Sequence, residues 1–241
     1  MEPSAAEMME RADALYGARE EIENVRLSVE LLQAALAREF TYELAWRMGR
    51  ALFFLGQEAP EQAQARAFHA RAAKVCMRAV RERPTCVEGH FWLGVNLALL
   101  AALGNPLGAF RHALRARRAL RRAVALDAAY HGAGPLRVLA RLEAKLPGWL
   151  GGGCNRARSN FEKASALAPA NTVTRLYFAE LLLEAGDETS ARTQLEALLN
   201  APHDSNWTFE ISRDRSLAQA MLQKTGPKSK AQGPKSDDIA L

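Results

Sequence analysis

The stretch Ala157-Arg158-Ser159-Asn160-Phe161-Glu162-Lys163-Ala164-Ser165-Ala166-Leu167-Ala168-Pro169 returns 34 residues later as Ala191-Arg192-Thr193-Gln194-Leu195-Glu196-Ala197-Leu198-Leu199-Asn200-Ala201-Pro202. In each, a small residue is followed four positions on by a large apolar one. Three further on comes another small or apolar residue, and then a proline. Offsets of four and seven place all three residues on one face of a helix. The small residue lets a second helix come close and the large one fills the remaining gap. The proline disfavours helical backbone in the residue before it, which ends the run. The same rule is met at Ala72/Cys76/Ala79 before Pro84 and at Ala116/Leu120/Ala123 before Asp127.

The helices between these copies match as well. Met48-Gly49, Leu52 and Gly56 correspond to Leu93-Gly94 and Leu97, and again to Phe178-Ala179, Leu182 and Gly186. A period of 34 residues is that of the tetratricopeptide repeat, a pair of antiparallel helices that stacks on its neighbours. The earlier spacings are longer, 44 residues from Ala72 to Ala116 and 41 from Ala116 to Ala157. The extra residues fall at Gln57–Arg66 and Gly104–Arg111, lengthening the helices or loops inside those pairs. The fold class is therefore all-α, a tetratricopeptide-like helical-hairpin solenoid of about eleven helices, compact and with irregular long repeats. The helices are placed at 5–16, 21–38, 41–56, 60–82, 85–103, 107–126, 133–146, 154–168, 171–185, 187–200 and 206–223. Residues 1–223 form a single helical domain. Residues 224–241, rich in Gly, Pro, Lys and Ser, form a tail without hydrophobic periodicity, predicted to be disordered.

Composition agrees with helices. The 241 residues are 49% hydrophobic and 24% charged but only 7% aromatic, and they are dominated by good helix formers. A net charge of +5 is mildly basic, short of a dedicated nucleic-acid binder. Cys76, Cys86 and Cys154 are odd in number and never spaced as CxxC, which predicts reduced thiols. The start, Met1-Glu2-Pro3-Ser4, has no basic segment followed by an apolar one, and the apolar run Phe91–Leu103 is too short to span a bilayer. A cytoplasmic address is the expectation.

Further residues carry a family resemblance. Tyr130-His131-Gly132-Ala133-Gly134-Pro135-Leu136-Arg137, Lys145-Leu146-Pro147-Gly148, Gly151-Gly152-Gly153, Ala157-Arg158, Phe161-Glu162-Lys163-Ala164 and Ala168-Pro169 resemble the C-terminal half of the TRAP-transporter T-component family. Ala179-Glu180-Leu181-Leu182 and Gly186-Asp187 fit too. Glu43-Leu44-Ala45-Trp46-Arg47-Met48-Gly49-Arg50-Ala51 is similar both to that family and to eukaryotic regulators of microtubule dynamics. The resemblance covers about residues 5–223. It implies a compact helical-repeat body, with a central channel that engages a protein or a small apolar ligand.

No catalytic constellation appears. His69, His90, His112, His131 and His203 are dispersed without metal-ligand spacing, and solvent or capping roles are expected of them. Gly148-Trp149-Leu150-Gly151-Gly152-Gly153 precedes a helix, so its amides are candidates to hold an anion. It lacks the Lys-Ser/Thr of a P-loop, and an inter-helix turn is the better reading. Arg111, Arg115, Arg118 and Arg122 share a helix face, with Arg117 and Arg121 beside it. That is a phosphate-binding stripe or, more simply, a solvated outer face.

In tetratricopeptide repeats the first helix of each pair lines the concave surface. Counting from Gly49, Gly94, Ala140 and Ala179, the resemblance places Trp46, Arg50, Phe53, Phe91, Val95, Arg137, Arg141, Leu176 and Glu180 there, with Glu43 and Glu88 one turn earlier. Aromatic anchors among arginines suit a protein or peptide partner. The Lys/Asn set of a carboxylate clamp is missing. The expected function is a scaffold or adaptor without catalysis, metal or cofactor. The alternative is an accessory protein, TRAP-transporter-associated or holding a small apolar ligand.

Overall fold

The computed structural model describes residues 3–224. Over these residues it contains eleven α-helices, two short 3-10 turns and no strand. The helices are α1 (Ala5–Gly17), α2 (Ile22–Arg38), α3 (Tyr42–Gln57), α4 (Gln62–Glu82), α5 (Val87–Ala102), α6 (Pro106–Leu126), α7 (Tyr130–Lys145), α8 (Cys154–Leu167), α9 (Thr172–Glu184), α10 (Glu188–Leu199) and α11 (Thr208–Lys224). The expected disordered tail lies, apart from Lys224, outside the described residues.

The sequence begins and ends these helices with ordinary signals. Ser4 and Glu7 form a reciprocal capping box on α1, and Thr41, Asn105, Asn171 and Asp187 each accept a backbone N–H at the start of α3, α6, α9 and α10. Each odd-numbered helix from α1 to α9 pairs with the helix that follows it. α1, α3, α5, α7 and α9 also touch one another in series as an inner layer. α11 packs on α9 and α10.

All twelve residues of the four repeated triads are at most 1% exposed. Their partners are the small residues of the inner helices. A Cβ on Gly49 would collide with Cys76 Sγ, and one on Gly94 would lie 2.6 Å from Leu120 Cγ. Where the period is long, the added residues extend the outer helix: α4 and α6 each have 21 residues, against 14 in α8 and 12 in α10. Another insertion, 146–153, joins α7 to α8 through a single 3-10 turn, Gly148–Leu150. Five of its amides are already bonded: those of Leu150 and Gly152 to the Pro147 carbonyl, that of Gly151 to Gly148, and those of Leu146 and Gly153 to Glu143. The amides of the three consecutive glycines are thus taken up by the turn itself, and the segment is the inter-helix turn that the sequence favoured.

The start of α7 departs from regular helix. His131, Gly132 and Ala133 have φ of 53°, 60° and 58°, a left-handed turn that His and Ala adopt only under constraint. Arg137 supplies that constraint. Its Nη1 donates to the Gly132 carbonyl at 2.8 Å and to Asn171 Oδ1 and Thr174 Oγ1 at 3.2 Å. One buried guanidinium therefore fixes the turn and ties it to α9.

Candidate partner-binding face

The eleven residues expected on the concave surface divide into a buried floor and a partly open rim. Phe91, Val95, Arg137 and Leu176 are buried, at 2%, 6%, 4% and 2% exposure. Phe91 packs edge-on against Trp92 and Tyr130. Phe53 is half-buried and stacks obliquely on Trp92 with centroids 5.4 Å apart. Val95 and Leu176 belong to the apolar core.

The rim carries the charges. Glu43 binds Arg83 at 2.6 Å. Glu88 accepts from the Tyr42 hydroxyl at 2.9 Å, and that oxygen itself accepts from Gly89 N–H at 3.0 Å. Burial, aided by the Glu88 carboxylate, pushes the Tyr42 phenol far up. Two guanidinium groups lie against the Trp46 ring, Arg47 at 4.3 Å and Arg50 at 5.2 Å from its centroid. Both arginines are held by Asp13 at 2.6 Å. Arg141 lies 3.7 Å above the Tyr177 ring and pairs with Glu180 at 3.1 Å. The structure thus gathers Trp46 with Arg50 and Arg141 with Glu180, at two separate places along the inner layer.

Between these places the chain covers its own inner face. Trp207, just before α11, lies edge-on to His131 at 4.8 Å and under Arg137 at 5.8 Å. Phe209 packs on Phe54 of α3 at 5.5 Å. Glu210 receives both Nη2 and Nε of Arg19, at 2.7 and 3.3 Å, with the two side chains only 13% and 16% exposed. The C-terminal element thereby reaches back to the first hairpin and closes the array into a ring.

Sequence reasoning missed Arg19, Trp207, Phe209 and Glu210. No local period marks them, because their contacts depend on how far five stacked hairpins curve. His131 was visible within the Tyr130-His131-Gly132 motif, but its surroundings were not. It sits among Phe91, Trp92, Tyr130 and Trp207. Burial first, then the charges of Arg137, Arg50 and Arg19, push its imidazole down to about 3. Nδ1 of His131 has no hydrogen-bond partner among the described residues. His69 also departs from the solvent or capping role expected of it. It is fully buried and bonds Asn96 Oδ1 at 2.9 Å, while Asn96 Nδ2 donates to the Trp92 carbonyl at 2.8 Å. Of the cysteines, Cys76 is buried, Cys86 half-buried and Cys154 exposed, and none is disulfide-bonded. Among the described residues there is no cluster of three His, Cys, Asp or Glu able to hold a metal, and no helix long and apolar enough to cross a membrane.

A family profile described as TRAP transporter T-component matches residues 47–225, most of the chain. The chain belongs to that family. Solved structures similar to this T-component chain are tetratricopeptide folds. The thermophilic TPR protein TTC0263 of Thermus thermophilus superposes with a TM-score of 0.66 at 18% identity, covering 88% of this chain and all of that one. A MamA protein gives a TM-score of 0.51 at 15% identity, over 95% of this chain and 98% of that one. Yeast Tom70 gives 0.54 at 15% identity, over 93% of this chain and 42% of that longer one. No curated protein sequence matches the T-component chain significantly. At such identities the structural likeness establishes the fold.

Proposed function

We propose that this T-component chain is a non-catalytic adaptor that holds a protein or peptide segment along the open rim of its inner face. One observation carries the reading. Glu43, Trp46, Arg50, Glu88, Arg141 and Glu180 come from four consecutive inner helices, and none of them is buried. Phe53 lies half-buried beside them, and Phe91, Val95, Arg137 and Leu176 form a rigid support beneath. A partly exposed indole beside arginines, with acids on the same face, is the composition of a recognition surface. Because Trp207 and Phe209 already fill the middle of the face, the partner lies across the rim rather than in a deep channel. The reading requires neither nucleic acid nor a membrane span, and it goes with a cytoplasmic address.

Affinity capture of the full-length chain from its native cells tests this, comparing wild type, Arg141→Glu and the swapped pair Arg141→Glu/Glu180→Arg. The swap restores the internal ion pair but reverses the surface pattern, so a genuine partner is lost from both variants. Identical sets of co-purifying proteins across all three would defeat the adaptor reading.

A second reading, a TRAP-transport accessory that binds a small apolar ligand, has one feature in its favour. A recess of about 480 Å³ opens beside Trp207, between Pro169, Pro202 and Ile211. That volume is within the range of small-molecule sites. Native mass spectrometry of the purified chain decides it: a retained small molecule supports the recess, and a bare chain mass counts against it.

A further inference from the structure

The outer side of the ring carries a second recess, unrelated to the adaptor face. A cleft of about 370 Å³ lies between α6, α7 and α8. Arg117 and Arg121, one turn apart on α6, form one wall, and Arg156, Asn160 and Lys163, at offsets of four and seven on α8, form the other. α7 supplies the floor, including Glu143. That carboxylate is 5% exposed and fully engaged: Oε1 accepts from Arg117 Nε and Oε2 from Asn160 Nδ2, each at 2.9 Å. Arg117 Nη2 is bonded in turn to the Gly151 carbonyl at 2.9 Å.

Glu143 therefore neutralises Arg117 and nothing else. Arg121, Arg156 and Lys163 have no carboxylate, hydrogen-bond or aromatic partner among the described residues. Three uncompensated cations facing one recess from two walls repel one another, and an anion placed between them relieves that repulsion. The arrangement also selects the shape of the anion. A planar carboxylate matches a single guanidinium fork, whereas donors arriving from opposite walls need acceptor lone pairs pointing in several directions. A tetrahedral phosphoryl group provides them. We infer that this cleft binds a small anion carrying two or more phosphoryl groups. Arg121 and Arg156 grip it from opposite walls, Lys163 adds a third contact, and Glu143 holds Arg117 in position. The basic face anticipated on α6 thus divides: Arg118 and Arg122 are exposed and lie outside the cleft, while Arg117 and Arg121 line it.

Titration calorimetry of the full-length chain with sodium pyrophosphate, and separately with citrate, tests the assignment at low salt. Wild type binds pyrophosphate, and added salt weakens the binding. Arg121→Gln/Lys163→Gln removes two charge-assisted bonds and lowers the affinity by about tenfold or more. Arg118→Gln/Arg122→Gln, which removes the same charge from α6 outside the cleft, changes it by less than about twofold. All four substituted residues are exposed, so both variants keep the wild-type melting temperature. Absence of pyrophosphate binding by wild type, equal losses in the two variants, or binding of citrate alone would each overturn the inference.

Discussion

His131 combines a left-handed backbone with an imidazole kept neutral by burial and by nearby arginines. Its stability consequence has a definite sign. The folded ring titrates near 3, whereas an unfolded histidine titrates near about 6.5. Below about pH 6.5 the unfolded chain therefore takes up a proton that the folded chain refuses. Stability is intact above that pH and is lost as pH falls toward about 3, by up to about 1.4 kcal/mol per pH unit from this one group. Asparagine tolerates left-handed backbone and does not titrate. Thermal melts between about pH 7 and about pH 4 should therefore show a shallower acid loss for His131→Asn than for wild type. Equal slopes would mean that the ring is solvated in the folded chain. Arg137 belongs at this scale too. The resemblance places it in the partner-binding groove, but the chain buries it and uses it to brace the turn in which His131 sits.

Helix pairing rests on small residues meeting large ones, and Gly94 of α5 shows how tightly. A Cβ there would lie 2.6 Å from Leu120 Cγ and 3.3 Å from the Leu120 backbone nitrogen. Alanine is favoured over glycine in a helix by about 1 kcal/mol, but overpacking of this kind costs about 1–3 kcal/mol. With backbone among the obstacles, the second effect prevails. Gly94→Ala should lower the unfolding free energy by about 1 kcal/mol or more in urea denaturation. Gly17→Ala, at the end of α1 with nothing within 4 Å of the new carbon, should be neutral or slightly stabilising. These pairings were the legible part of the fold. Offsets of four and seven are local properties of a helix, so Ala157, Phe161 and Ala164 could be placed in the core without knowing any long-range contact. The meeting of Trp207 with His131 had no such signal, since it depends on the summed curvature of all the hairpins between. For the same reason the inner-face residues could be assigned to helices, but not divided into rim and floor.

An open solenoid behaves almost one-dimensionally, each repeat being stabilised by its immediate neighbours. Closure by Arg19 and Glu210 adds a link between elements that are distant in sequence. It is well sheltered: the exposed pair Lys145–Glu184, with side chains 69% and 60% accessible, is worth little by comparison. Glu210→Gln should therefore raise amide hydrogen exchange in α1 and α2 as well as in α11, while α5 at the centre of the array keeps its protection. A rise confined to α11 would mean that the two ends are held independently.

Closure also sets a number. A linear array can gain or lose a hairpin and remain the same kind of object, only longer or shorter. Here an inserted hairpin would carry Glu210 away from Arg19 and Phe209 away from Phe54, and a deleted one would drive them together. The arc between the first hairpin and the last helix is fitted to five pairs, so this chain has surrendered the freedom to grow by duplication that repeat architectures otherwise keep.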